Sequence, residues 1–357
     1  MSKFLSKEAA ALEPYVPGEQ PKGGVLIKLN TNENPYPPAP AVLEALRNAD
    51  TAALRLYSDP DCTALCKAAA EFYGVKPENI IAGNGSDEVL AFAFRAFCGE
   101  GRGLAFADIT YGFYKVWAAL YGIETRVIPL RKDLSLSVDD YMDFPGTVIM
   151  ANPNAPTSLM TPLSEIRRLL ESNRERLVIV DEAYVDFGGE SAVSLIGEYD
   201  NLLVIQTLSK SRSLAGGRIG LAIGCESLIA DLRRIKYSFN PYNVNRLSAL
   251  AATEAMKDKD YLDYTVGKVI EARDYTIRSL RTLGFYVPDS KTNFVFASSD
   301  KIPGAQYCAA LRERGILVRR FDSPERIANF SRISIGTMED MEALIRATEE
   351  ILEGWAL

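Results

Sequence analysis

At 357 residues the chain is long enough for roughly two domains with a substantial core. Hydrophobic content of 47%, charged content of 24% and a net charge of −7 exclude a disordered or fibrous protein, and without a basic face or an aromatic-interleaved arginine cluster they argue against a nucleic-acid partner. The chain contains no histidine, which excludes Ser-His-Asp and Cys-His catalysis and helical zinc motifs; an enzyme working near neutral pH must then move protons with a tuned lysine, carboxylate or tyrosine.

No apolar run approaches the ~20 residues needed to cross a bilayer, and MSKFLSKEAAALEPYVPGE lacks the apolar core of a signal peptide. The five cysteines (Cys62, Cys66, Cys98, Cys225 and Cys308) are odd in number and scattered. They read as reduced thiols and not as a metal site. The expectation is a cytoplasmic protein with no membrane partner and no metal.

In chain order, residues 1 to 40 read as an arm, Pro-rich after Glu13, that packs across another domain or subunit. Tyr15 and Tyr36 within it argue against disorder. A helix is expected from Pro40 to Asn48, Tyr57 lies in the turn LRLYSDPDC, and a second helix is expected from Cys62 to Tyr73. IIAGNGSDEVLAFAFRAFCGEG then reads as a strand end, a tight glycine-rich turn and an apolar helix ending near Gly99. The helix start, Gly83-Asn84-Gly85-Ser86-Asp87, offers free N–H groups and a favourable dipole to an anion such as phosphate; the same residues also suit simple capping.

GLAFADITYGFYKVWAALYG reads as a strand, a turn and a helix, with Tyr111 at the strand's carboxyl end. An aromatic there covers a flat ring or packs on the core. The strand TVIMANPN leads into a stiff two-proline loop from Asn152 to Thr157, and Thr161-Pro162 reads as the N-cap and first residue of a helix. RLVIVDEAYVDF is a fully apolar strand ending in Asp181, with Glu182 and Tyr184 beyond it. A carboxylate at a buried strand end must be paired: as a cap, in an ion pair, or against a ligand cation. NLLVIQTLSKSRSLAGGRIGLAIG is a buried strand running into Ser209-Lys210-Ser211, a small-residue loop to Arg218 and a second apolar run. A lysine desolvated there can lose its proton and act as a nucleophile; a solvated surface lysine is the plain alternative.

Strand, loop and helix units repeating from about 80 to 224 predict a largely parallel, doubly covered sheet, with ligands bound outside the carboxyl ends of its strands. From about Asp258 a long helix runs to Leu283. The strand-like FYVP and NFVFAS, a helix ending near Gly315, ILVRRF, SRISIG and a closing helix through Glu353 then form a smaller α+β domain. The expected division is an arm at 1–40, a large domain at 41–255 and a small domain at 256–357. Arg319 and Arg332, on adjacent short strands, suit bidentate binding of a carboxylate or phosphate, or an ordinary ion pair.

Five features fall at successive strand ends: the GNGSDE turn, Tyr111, Asn152, Asp181 and Lys210. Together they fit pyridoxal 5′-phosphate, which needs a Schiff-base lysine and an acid facing its ring nitrogen. Asn152 suits the ring hydroxyl and Tyr111 a ring face; Ser86, Asp87, Ser209 and Arg218 suit the phosphate.

The ordered set NENPY, GNGSDE, TYGFY, NPNAPT, DEAY, TLSKSRSLAGGR and SRISIGT resembles the fold-type I pyridoxal-phosphate aminotransferases, and within them is most similar to the histidinol-phosphate branch, from about Tyr15 to the C-terminus. The resemblance implies ping-pong transamination in histidine biosynthesis, with small-molecule amino and keto-acid substrates. L-histidinol phosphate and 2-oxoglutarate would become imidazole acetol phosphate and L-glutamate. It implies that Lys210 carries the Schiff base and, once freed, moves a proton between the substrate α-carbon and the cofactor. Asp181 would pair with the ring nitrogen, Asn152 and Tyr184 would flank the ring hydroxyl, and Gly85, Ser86, Asp87, Tyr111, Thr207, Ser209 and Arg218 would complete the cofactor site. Tyr57 would reach the cofactor phosphate of the other subunit of a homodimer. Arg332 would take the substrate carboxylate or phosphate, with Arg319 and Tyr15 helping to select between substrates. Two departures are visible: NPNAPTS where the family reads NPNNPTG, and Pro37 where Gly usually follows NENPY. The rivals are a threonine-phosphate decarboxylase, an aromatic or broad-specificity aminotransferase, and a non-catalytic effector-binding module. The arm has no room for the helix-turn-helix that the last would need.

Overall fold

The strands that position the site are the continuous apolar runs of the sequence. The computed structural model describes residues 2–21, 27–99 and 101–355, so the stretch of the expected arm from 22 to 26 lies outside the described residues. The strands are β1 (Ile27–Leu29), β2 (Ile80–Asn84), β3 (Leu104–Ala107), β4 (Thr125–Ile128), β5 (Thr147–Ala151), β6 (Val178–Asp181), β7 (Leu202–Thr207), β8 (Ile219–Gly224), β9 (Phe294–Ala297), β10 (Ile316–Arg320) and β11 (Ser331–Ser334). β5, β6 and β7 are buried at every position because helices cover both faces of their sheet. Alternate residues feed two cores: Val148, Val178 and Val180 pack on one face with Leu65 and Ala252, and Ile149 and Ile179 on the other with Val89 and Leu90.

The larger sheet has the order β2-β8-β7-β6-β5-β3-β4. It is parallel except for β8, which runs against both neighbours. The connection from 208 to 218 is too short for the crossover that a parallel partner needs, so β8 returns antiparallel. The sequence pattern did not reveal β4: it is the edge strand, and Thr125, Arg126 and Val127 face solvent. The helix expected at Thr161-Pro162 starts one residue later, at Leu163, with Pro162 as its N-cap. Helices Glu226–Phe239 and Arg246–Lys257, also unforeseen, fill the stretch before the long helix Lys259–Thr282.

The smaller sheet has the order β1-β10-β11-β9. β1 comes from the segment read as an arm and pairs in parallel with β10, Ile27 opposite Ile316. FYVP contributes only a bridge between Tyr286 and Ser298. After β1 the chain crosses to the larger sheet, where the Asn34 side chain donates to the carbonyls of Lys210 and Ser211. None of the described helices is long and apolar enough to cross a membrane.

Candidate active site

A cavity of about 160 Å3 lies outside the carboxyl ends of β5, β6 and β7, against the start of helix Gly85–Phe97. Ser86, Asp87, Tyr111, Ala151, Pro153, Ala155, Asp181, Ala183, Tyr184, Thr207, Ser209, Lys210 and Arg218 line it. Lys210 and Asp181 thus face one space: β6 and β7 are parallel neighbours, Asp181 ends β6 level with Ile205, and Lys210 follows three residues after the end of β7.

Half-buried Lys210 reaches Thr31 O with Nζ at 3.5 Å, and its ammonium lies 5.8 Å from the centre of the Tyr184 ring. Asp181 is 5% exposed and receives two hydrogen bonds: Tyr114 Oη donates at 2.7 Å and the Ala183 N–H at 3.3 Å. Burial pushes its carboxyl up to about 6, against those two donors and the Lys210 charge, while Asp87 adds to the rise. A carboxylate in that position gains from a cation. Tyr114 is fully buried and the sequence reading passed over it. Its spacing of three from Tyr111 at a helix start puts both phenols on one side, a signal that was available.

At the opposite end, helix Gly85–Phe97 begins with first-turn N–H groups that have no intrahelical acceptor. Gly85 sits at φ +80°, and a Cβ there would come within 2.6 Å of the Arg218 guanidinium. At Gly220 on β8 a Cβ would fall 2.2 Å from Ser86 N, so only glycine permits this approach. The Asp87 carboxylate is occupied by Tyr111 Oη, donating at 2.7 Å, and by Arg218 at 3.0 Å. Its charge is thus already met by groups of the chain itself.

Asn152 sits at the end of β5 but does not line the cavity. Its Oδ1 accepts from Thr161 N at 2.7 Å and its Nδ2 donates to Thr161 O at 3.0 Å, leaving one amide hydrogen unspent. Tyr184 does line it, packed edge-on against Phe294, and its Oη accepts from Asn32 Nδ2 at 2.9 Å. Asn32, buried at φ +56°, is a second residue the sequence reading left without a role.

Arg319 and Arg332 lie directly opposite one another on β10 and β11. Their neighbour Arg320 turns away and pairs with Asp322. Arg332 donates from Nη2 to Asn30 O at 2.9 Å, while its Nε is buried without an acceptor. Burial lowers the guanidinium's proton affinity; the phenols of Tyr184, Tyr15 and Tyr111 oppose this and the charge of Arg319 adds to it. Tyr15 is partly exposed, its ring 4.9 Å from that of Phe113. Tyr57 does not line the cavity: it is 79% exposed and stacked on Tyr242 at 4.5 Å.

Residues 25–347 match the family described as aminotransferase class I and II. The histidinol-phosphate aminotransferase of Clostridium botulinum (strain Okra) is 48% identical over 352 residues, which cover 99% of this chain and 99% of that protein. That of Clostridium acetobutylicum is 49% identical over 352 residues, 99% of this chain and 100% of that protein. In fold, the chain matches the crystal structure of histidinol-phosphate aminotransferase from Sinorhizobium meliloti in complex with pyridoxal-5'-phosphate, with a TM-score of 0.84 over 99% of both chains at 24% identity.

Proposed function

The chain belongs to the class I and II aminotransferase family, and from that premise we propose that it transfers the amino group of L-histidinol phosphate to 2-oxoglutarate, with pyridoxal 5′-phosphate as cofactor. Relatives of near-half identity over their whole length bear that name. The observation that carries the substrate is the arginine pair: Arg319 and Arg332 stand opposite one another on β10 and β11, and the buried Nε of Arg332 has no acceptor among the described residues. A phosphate or carboxylate would supply one. The product amino acid is L-glutamate and the product ketone imidazole acetol phosphate.

The residues present fit the cofactor. Asp181 is a buried carboxylate short of a cation, which a protonated ring nitrogen brings. The glycine-floored helix start, with Ser86, Ser209, Thr207 and Arg218 around it, offers donors to a phosphate. When bound, the cofactor supplies an electron-accepting ring that weakens the substrate's Cα–H bond.

The chain's own groups do the rest. Lys210 would hold the cofactor covalently, and its Nζ, freed by the incoming amine, would take the proton from the substrate α-carbon and deliver it to the cofactor carbon that Lys210 had held. Asp181 keeps a proton on the ring nitrogen, and Tyr114 and Ala183 keep Asp181 aimed. Tyr184 would donate to the ring oxygen, whereas Asn152 does not line the cavity and its amide is engaged by Thr161. Tyr111, held by Asp87, covers a ring face. Arg332 and Arg319 orient the substrate by its anionic end, and Tyr15 closes over it.

The active unit in this reading is a homodimer in which Tyr57 serves the partner's cofactor phosphate. Its support is the exposure of Tyr57 together with its stacked partner Tyr242 and its chain neighbours Leu54 and Leu56. Five free cysteines suit the reducing cytoplasm. A substrate panel tests the proposal. Histidinol phosphate should convert the cofactor's absorbance faster than phenylalanine, tyrosine or O-phosphothreonine; release of carbon dioxide from O-phosphothreonine would instead establish a decarboxylase.

A further inference from the structure

Asn32 is the point at which three distant segments meet at the cavity. It is 1% exposed and held at φ +56°, a left-handed conformation that asparagine tolerates better than most residues. Its Nδ2 donates to Tyr184 Oη at 2.9 Å. Its Oδ1 accepts from Ser334 Oγ at 2.9 Å, and its backbone N–H donates to the same Oγ at 2.8 Å. Its carbonyl accepts from Asn293 Nδ2 at 3.0 Å. The carboxamide is therefore clamped from β11, two residues beyond Arg332, and its free end is spent on Tyr184.

We propose that Asn32 is a positioning residue that sets the direction of the Tyr184 hydroxyl: by occupying a lone pair of Oη, it turns the phenolic proton into the cavity, toward the ring oxygen of the cofactor. The inference rests on the pyridoxal-phosphate reading given above. A hydroxyl that accepts one hydrogen bond also donates a stronger one. A phenol donating to the ring oxygen holds that oxygen's negative charge when the neighbouring lysine-derived nitrogen gives up the shared proton. It therefore lowers the pH at which the bound cofactor changes colour. The charged groups facing Tyr184 are Lys210 and Arg332, and neither is altered by substitutions at Asn32.

The experiment is a pH titration of cofactor absorbance, without substrate, in four proteins: wild type, Asn32→Ala, Tyr184→Phe and the double variant. Tyr184→Phe should raise the midpoint. Asn32→Ala should raise it by less, roughly half a pH unit for one lost hydrogen bond, and should add nothing in the Tyr184→Phe background. A fall in Asn32→Ala would mean that Tyr184 donates to Asn32, and would overturn the proposal. So would an unchanged midpoint, or a shift that survives in the double variant. If Asn32→Ala does not fold, Ser334→Ala loosens the same clamp and should give a smaller rise, again absent beside Tyr184→Phe; no rise there overturns the proposal too. A wild type that binds no cofactor defeats the parent reading and this inference together, whereas a Tyr184→Phe protein with bound cofactor and an unmoved midpoint defeats this inference alone. A moved Tyr184→Phe with a silent Asn32→Ala defeats this inference alone.

Discussion

The cavity at the strand ends of the larger sheet and the arginine pair of the smaller one are incomplete in opposite senses. In the first, Asp181 is buried with two neutral donors and no cation in contact. In the second, half-buried Arg332 donates to a carbonyl and its buried Nε finds no acceptor among the described residues. Other buried charges are also met by neutral partners: Glu182 takes hydrogen bonds from Ser191, Ala192 and Gln206, and buried Arg176 donates to the carbonyls of Tyr141 and Leu169. Leaving a buried charge uncompensated costs several kcal/mol. What sets the two sites apart is their place, at the strand ends around the cavity and on the facing strands of the smaller sheet; in the proposed reading the cofactor would bring a cation to Asp181 and the substrate an anion to Arg332.

The hardest blow to the cavity side is Lys210→Ala. It should lower turnover by about 10^4-fold, with loss of the cofactor's characteristic band, while the arginine pair still binds phosphate. Next comes pH. In the cofactor-free protein, burial raises the Asp181 carboxyl from its ordinary 3.8 to about 6, so the folded state binds the proton more tightly than the unfolded chain. Stability is then lost as pH rises between those values, by roughly 3 kcal/mol relative to Asp181→Asn. Thermal melts across pH 3.5 to about 6.5 check this, and loading the cofactor should abolish the loss.

On the arginine side, Arg332→Leu should raise KM for histidinol phosphate roughly 100-fold, the worth of a charged hydrogen bond, with the cofactor spectrum unaltered. Arg332→Lys should recover little, because a point charge does not replace a planar fork. The smallest expected effect is Tyr114→Phe, about tenfold in kcat with KM preserved. Equal losses in both parameters would mean that Tyr114 only supports the fold.

Much of the cavity was legible because its walls are buried parallel strands, which read as unbroken apolar runs whose last residue is conspicuous when charged. Asp181 stood out for that reason, and Lys210 because it follows three residues after the end of β7. β4 did not, since as an edge strand it is mostly exposed. Asn32 escaped notice because its partner Tyr184 lies 152 residues away, a distance over which local pattern carries no information; for Tyr114 the spacing from Tyr111 was legible, but its acceptor Asp181, 67 residues on, was not. Asn152 sits at the expected strand end, yet its amide is largely committed to Thr161, a turn contact that composition alone does not specify. The register that sets Arg319 opposite Arg332 follows from β10 and β11 pairing between β1 and β9, elements drawn from both ends of the chain.

The central claim is that one small cofactor is bound covalently at Lys210 with its ring nitrogen against Asp181. Borohydride reduction of the cofactor-loaded protein, followed by peptide mapping, measures the first half directly, and the Asp181→Asn protein reports on the second. The account predicts a single pyridoxyl label on the peptide containing Lys210, with the band of the loaded protein displaced in Asp181→Asn. A label on any other lysine, or no label in a protein that retains transaminase activity, would contradict it.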